Sequence, residues 1–126
     1  MLTPKKQGAY FMQKGSEQML EKEVEAKLVR GVKQLGGIAY KFVSPGNSGV
    51  PDRIVVLPGG RVEFVELKSK TGRLSSIQKR QITRLESAGK KVQVLYGEDD
   101  VAAFLLSWGR VLLPEKLEAM ERSEPL

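Results

Sequence analysis

The sequence predicts an α/β domain: a mixed β-sheet of about four strands flanked by helices, in the order αβββαβα. Three observations carry this. Helical periodicity runs from 17 to 35, two β-branched segments flank Pro58-Gly59-Gly60, and a second helical segment leads into a further strand at 91–96. The 126 residues have the length of one such domain rather than two.

In the first helix Leu20, Val24, Leu28, Val32 and Leu35 recur every three or four positions, and Gly36-Gly37 supplies the stop. Residues 38–43 have strand composition and end at Ser44-Pro45-Gly46-Asn47-Ser48-Gly49, a run of turn formers. Residues 53–57 and 62–68 are expected to pair antiparallel around Pro58-Gly59-Gly60. The segment 75–88 carries Ile77, Ile82 and Leu85 on a helical spacing and stops at Gly89, and the strand 91–96 follows. Glu98-Asp99-Asp100 opens a last short helix running to about Trp108. Residues 1–15 read as an N-terminal arm, 16–108 as the folded domain, and 109–126 as a tail. In that tail Leu112-Leu113-Pro114 and residues 115–120 are a candidate interface.

Composition narrows the chemistry. With no cysteine and no histidine, a zinc cage, a thiol nucleophile and a Ser-His-Asp relay all lack their parts. Carboxylates, lysine and hydroxyls remain, and carboxylates prefer hard cations, so a catalytic metal is expected to be Mg²⁺ or Mn²⁺ on oxygen ligands. No apolar run approaches a membrane span and no secretory h-region follows the first residues, which makes the cytoplasm the expected location. The net charge of +6 is uneven: residues 1–67 hold 10 basic and 7 acidic side chains, 68–91 hold 8 and 1, and 98–126 hold 3 and 7. A basic stretch of this kind suits a polyanion, nucleic acid foremost.

The informative constellation is Pro51-Asp52 followed, after thirteen residues, by Glu66-Leu67-Lys68. Strand geometry projects Glu66 and Lys68 to one face, about 7 Å apart. Asp52 joins them only if the hairpin loop has three residues, because a two-residue Gly59-Gly60 loop sets Arg53 opposite Glu66 and turns Asp52 away. Given the three-residue loop, two carboxylates can bind a divalent cation and a lysine can offset charge on a phosphorane, the parts of a phosphodiester hydrolase. The competing reading is an edge-strand charge pair. Against it, Val65-Glu66-Leu67 places a carboxylate where a buried strand ordinarily carries another apolar residue, and such a charge needs a partner or a metal.

Pro51-Asp52-Arg53, Glu66-Leu67-Lys68 and the preceding Lys41-Phe42-Val43-Ser44-Pro45-Gly46 with Gly49 resemble the VRR-NUC branch of the PD-(D/E)xK nuclease superfamily, in the stand-alone form of phages and prophages. The resemblance spans roughly 20–106. It implies a restriction-endonuclease-like core, Mg²⁺ or Mn²⁺ dependence, and a homodimer that cuts branched DNA such as Holliday junctions in the host cytoplasm. It also implies an acid on the first helix, for which Glu25 has the right spacing from Gly36 and Glu21 and Glu23 are the alternatives. The metal set expected is then Asp52, Glu66 and Glu25. The family's glutamine after the Glu-x-Lys strand is matched by Gln78, although Ser75-x-x-Gln78 is equally a capping box. Lys41, Arg53, Lys70, Arg73, Lys79, Arg80 and Arg84 are the expected DNA contacts. The glycine-rich 44–49 loop is expected either to approach the DNA backbone or simply to connect two strands.

Overall fold

A computed structural model describes residues 21–122. Helix α1 is helical from 21 to 34 and is ended by Gly36, whose φ of 87° only a residue without Cβ adopts readily. The strands are β1 (Ile38–Lys41), β2 (Arg53–Leu57), β3 (Arg61–Lys68) and β4 (Val92–Tyr96). Helices α2 (Ser76–Ser87), α3 (Gly97–Leu112) and α4 (Pro114–Arg122) complete the described chain.

The four strands lie in the order β1-β2-β3-β4, the first three antiparallel and β4 parallel to β3, so the sheet is mixed as expected. A parallel neighbour requires a crossover, and α2 is that crossover. The pairing of β2 with β3 decides the central geometric question. Leu57 faces Arg61 and Arg53 faces Val65, which leaves Pro58, Gly59 and Gly60 as a three-residue loop and brings Asp52 to the level of Glu66.

Helices α1 and α3 cover one face. Val24, Leu28 and Val32 from α1 and Val101 and Phe104 from α3 pack on Val55, Leu57, Val65, Leu67 and Leu95, and this cluster is the hydrophobic core. Helix α2 lies toward the other face and buries no residue of its own. There Phe42 and Phe64 meet with ring centroids 5.7 Å apart, while Ile38 and Tyr40 stay exposed on β1.

Some bounds differ from the sequence expectation. β1 ends at Lys41 rather than 43, although the Phe42 amide still donates to the Asp52 carbonyl at 2.9 Å and continues the pairing to the edge of the site. Helix α3 continues past Trp108 to Leu112, because Gly109 is buried inside it as a packing position and does not act as a stop. The segment beyond is helical too, beginning on Pro114, whose fixed φ and missing N–H suit a first helical position. The expected arm at 1–15 lies outside the described residues.

Candidate active site

The site forms at one end of the sheet, where β2 begins and β3 ends. Asp52, Glu66, Leu67 and Lys68 line a single cleft there with Glu21, Lys22 and Glu25 from α1 and Gln78 from α2. Backbone geometry fixes the first carboxylate: Asp52 Oδ2 accepts the Leu67 amide at 2.8 Å, which ties the start of β2 to the end of β3. Glu66 is only 2% exposed, and two donors converge on its Oε2. These are Gln78 Nε2 at 3.1 Å and Lys68 Nζ at 3.8 Å.

Gln78 caps α2 and also reaches the cleft. Its backbone amide donates to Ser75 Oγ at 3.1 Å, and its side-chain Oε1 accepts the Ser75 amide at 2.9 Å, so the capping box is complete. The remaining Nε2 group points at Glu66. The glutamine therefore closes the helix end and reaches the cleft with the same carboxamide.

Burial disfavours the charged form of Glu66, and the negative Asp52 beside it adds to the effect. Lys68 pulls the other way and is outweighed, and the Glu66 carboxyl is pushed up from 4.5 to about 8, with Glu21 contributing to the rise. With both carboxyls ionised, Asp52 and Glu66 carry more negative charge than Lys68 alone offsets, and a divalent cation would relieve that state. Their oxygens are the hard donors that Mg²⁺ and Mn²⁺ take. Among the described residues no group of three acidic side chains is close enough to cage a metal. Asp52 and Glu66 are the pair available to hold one.

Glu25, expected as a third metal ligand, lines the cleft and is paired there with Arg53. Its Oε2 receives Arg53 Nη2 at 3.0 Å and Nε at 3.2 Å, while Arg53 Nη1 donates to the Ala39 carbonyl at 3.0 Å. Arg53, expected as a DNA contact, engages its guanidinium in this structure with partners from α1 and β1 and so ties α1 to β1 and β2. Glu21, one turn before Glu25, is the helix acid whose charge reaches Glu66, and Glu23 does not line the cleft. Sequence reasoning missed Lys22, which lines the cleft between them. Lys22 stands three residues before Glu25, and that helical spacing is the signal that could have found it.

Lys41, Lys70, Arg73, Lys79, Arg80 and Arg84 are all exposed. Lys79, Arg80 and Arg84 ride on α2 behind Gln78, and Lys70 and Arg73 lie on the connection from β3 to α2. The 44–49 loop is held against the same helix, with Gln81 Nε2 donating to the Ser48 carbonyl at 3.1 Å. Gly49 has φ 86°, and a Cβ there would run into Ile77 of α2, so its glycine is explained by close packing on α2.

The end of the mixed sheet thus brings together the two carboxylates and the lysine that the sequence singled out. A profile of the VRR-NUC domain family matches residues 4–99. The chain is 48% identical over 79 residues to "Putative nuclease p44" of Acyrthosiphon pisum secondary endosymbiont phage 1, which spans 63% of this chain and 85% of that protein. A solved structure described as a VRR-NUC domain superposes with a TM-score of 0.64 at 30% identity, over 68% of this chain and 92% of the other. A second, described as a VRR-NUC domain protein, gives 0.53 at 22% identity over 71% and 88%, a likeness of fold. The chain belongs to the VRR-NUC domain family.

Proposed function

We propose that this chain is a metal-dependent, structure-selective endodeoxyribonuclease that hydrolyses phosphodiester bonds of branched DNA, Holliday junctions among them. The observation that carries the reading is the hairpin register, which sets Asp52 level with Glu66 while Lys68 reaches the same carboxylate. Asp52 and Glu66 would hold Mg²⁺ or Mn²⁺. When bound, such an ion polarises a phosphodiester and makes water more acidic. Gln78 and Lys68 fix the direction of the Glu66 carboxylate. The Lys68 ammonium stands where it can offset charge developing on the phosphorane. Lys70, Arg73, Lys79, Arg80 and Arg84, with Lys41, supply sequence-independent phosphate contacts.

A four-way junction presents two equivalent strands to cut, which favours a homodimer with two sites related by a two-fold axis. Among the described residues no helix is long and apolar enough to cross a membrane, and the expected setting is the host cytoplasm.

The test is cleavage of four-way junction, flap, duplex and single-stranded DNA by wild type and Lys68→Ala, with Mg²⁺, with Mn²⁺ and with EDTA. Paired symmetric nicks in the junction, dependent on the ion and lost in Lys68→Ala, are expected. DNA binding that persists in EDTA with no cleavage of any substrate in either metal would overturn the enzyme reading. Unchanged cleavage by Lys68→Ala would remove the site, and preferential cutting of flaps or ends would replace the substrate.

A further inference from the structure

The Glu66 carboxylate is directed by a residue that does not touch it. Both donors to Glu66 use Oε2, and the closer of them is Gln78 Nε2 at 3.1 Å. A glutamine carboxamide has two nearly isosteric orientations, and only one presents its NH₂ group to the carboxylate. What selects it lies at the other end of the amide, where the Ser75 backbone N–H donates to Oε1 at 2.9 Å. Reversing the amide would set NH₂ against the Ser75 N–H whatever the state of Glu66, and Oε1 against the carboxylate when Glu66 is ionised, repulsive contacts in place of hydrogen bonds. That Ser75 N–H points at Gln78 because Ser75 sits in the extended N-cap conformation, φ −75° and ψ 165°. Its own Oγ locks that conformation by accepting the Gln78 backbone amide at 3.1 Å.

We propose that Ser75 is a positioning residue of this site: its capping box holds the Gln78 carboxamide in the orientation that donates to Glu66, so the first turn of α2 sets the direction of the buried carboxylate. Ser75 is itself exposed and lines no part of the cleft. Its hydroxyl acts through Gln78, as residues behind metal-binding carboxylates do when they fix the orientation of a ligand. The catalytic consequence rests on the nuclease reading, whereas the hydrogen-bond chain from Ser75 through Gln78 to Glu66 does not.

The experiment is a double-substitution cycle on Ser75→Ala and Gln78→Ala, read in two ways. In the metal-free protein, the Gln78 side-chain NH₂ resonances, identified by their absence in Gln78→Ala, report the chain directly. They should shift on Glu66→Gln, collapse toward free-amide positions in Ser75→Ala, and return in Ser75→Asp, which restores the cap. In junction cleavage, Gln78→Ala is expected to lower kcat by about tenfold. Ser75→Ala should lower it several-fold without changing KM for DNA, Ser75→Asp should recover most of the loss, and the double variant should be no slower than Gln78→Ala alone. Additive losses in the double variant, or Gln78 resonances unmoved by Ser75→Ala, would overturn the proposal. The resonances answer even if no DNA is cut, so failure of the nuclease reading and failure of the positioning chain are separate results. If Ser75→Ala does not fold, Ser75→Gly removes the same hydroxyl with less disturbance to the helix start and takes its place in the cycle.

Discussion

Toward α1 and α3, the sheet presents Val55, Val65, Leu57 and Leu67 to Val24, Leu28, Val32, Val101 and Phe104, and apolar contact makes the core, with the Arg53–Glu25 pair at its edge. Toward α2, one residue along the same β3 strand, it buries Glu66 as deeply as those valines and gives it Gln78, Lys68 and Asp52 for company. The first environment lowers the free energy of the folded chain, and the second raises it by confining like charges out of water. Stability and chemistry are thus assigned to opposite faces of one strand, and alternation at period two is what keeps them apart.

Substitutions should separate the two faces. Asp52→Asn and Glu66→Gln are expected to lower cleavage by roughly 1000-fold, with the folded protein as stable as wild type or more so. Leu28→Ala, at a fully buried position of the other face, should cost about 3 kcal/mol in urea unfolding and leave the rate per folded molecule near wild type. Loss of stability in Glu66→Gln as large as in Leu28→Ala would break the contrast.

The pH dependence sharpens the same contrast. The Glu66 carboxyl rises from 4.5 to about 8 on folding, so the folded state holds a proton that the unfolded chain releases. The contribution favours folding fully below pH 4.5, weakens as pH rises, and is gone above about 8. The difference between the two ends is on the order of a few kcal/mol. Denaturation in EDTA at pH 5, 6.5 and 8 should show wild type losing stability relative to Glu66→Gln across that interval. Parallel curves for the two proteins would contradict it.

Gly49→Ala is expected to cost roughly 1–3 kcal/mol, since it combines a positive φ with a collision against Ile77, and to disturb the start of α2 before it disturbs the core. Thermal unfolding followed at α2 and in the core distinguishes the two. Smallest are the surface charges. Arg80→Ala and Arg84→Ala should each weaken DNA binding less than tenfold and lower the salt slope by about 1, equally for all sequences. Titrations at several salt concentrations measure this.

The hairpin shows how far the sequence could be read. That Glu66 and Lys68 share a direction follows from strand geometry alone. The position of Asp52 depended on whether Pro58 belongs to the loop, which is a matter of tertiary pairing. The helix acids were harder, because Glu21 and Glu25 share a face and nothing local distinguishes them. What distinguishes them in the structure is Arg53, which pairs with Glu25 from 28 residues away in the chain, a contact visible only once β2 lies beside α1. Gly109 shows the opposite difficulty. A glycine after an apolar helix reads as a stop, and here neighbouring elements bury it and the helix runs on. Gln78 was legible as a cap and as a match to the family, and the structure shows one carboxamide serving the cap and bonding Glu66.

The three-residue loop at the end of the hairpin also bears on how such a site can change over generations. What keeps Asp52 level with Glu66 is that the two arms, Arg53–Leu57 and Arg61–Val65, have five residues each. The number of residues at the tip is free. Insertions at Gly59-Gly60 should therefore be silent while a single deletion in either arm is not, and relatives can carry the same site with a different count of residues between aspartate and glutamate. A peptide tag grafted between Gly59 and Gly60 is, on this argument, the mildest alteration the hairpin can receive.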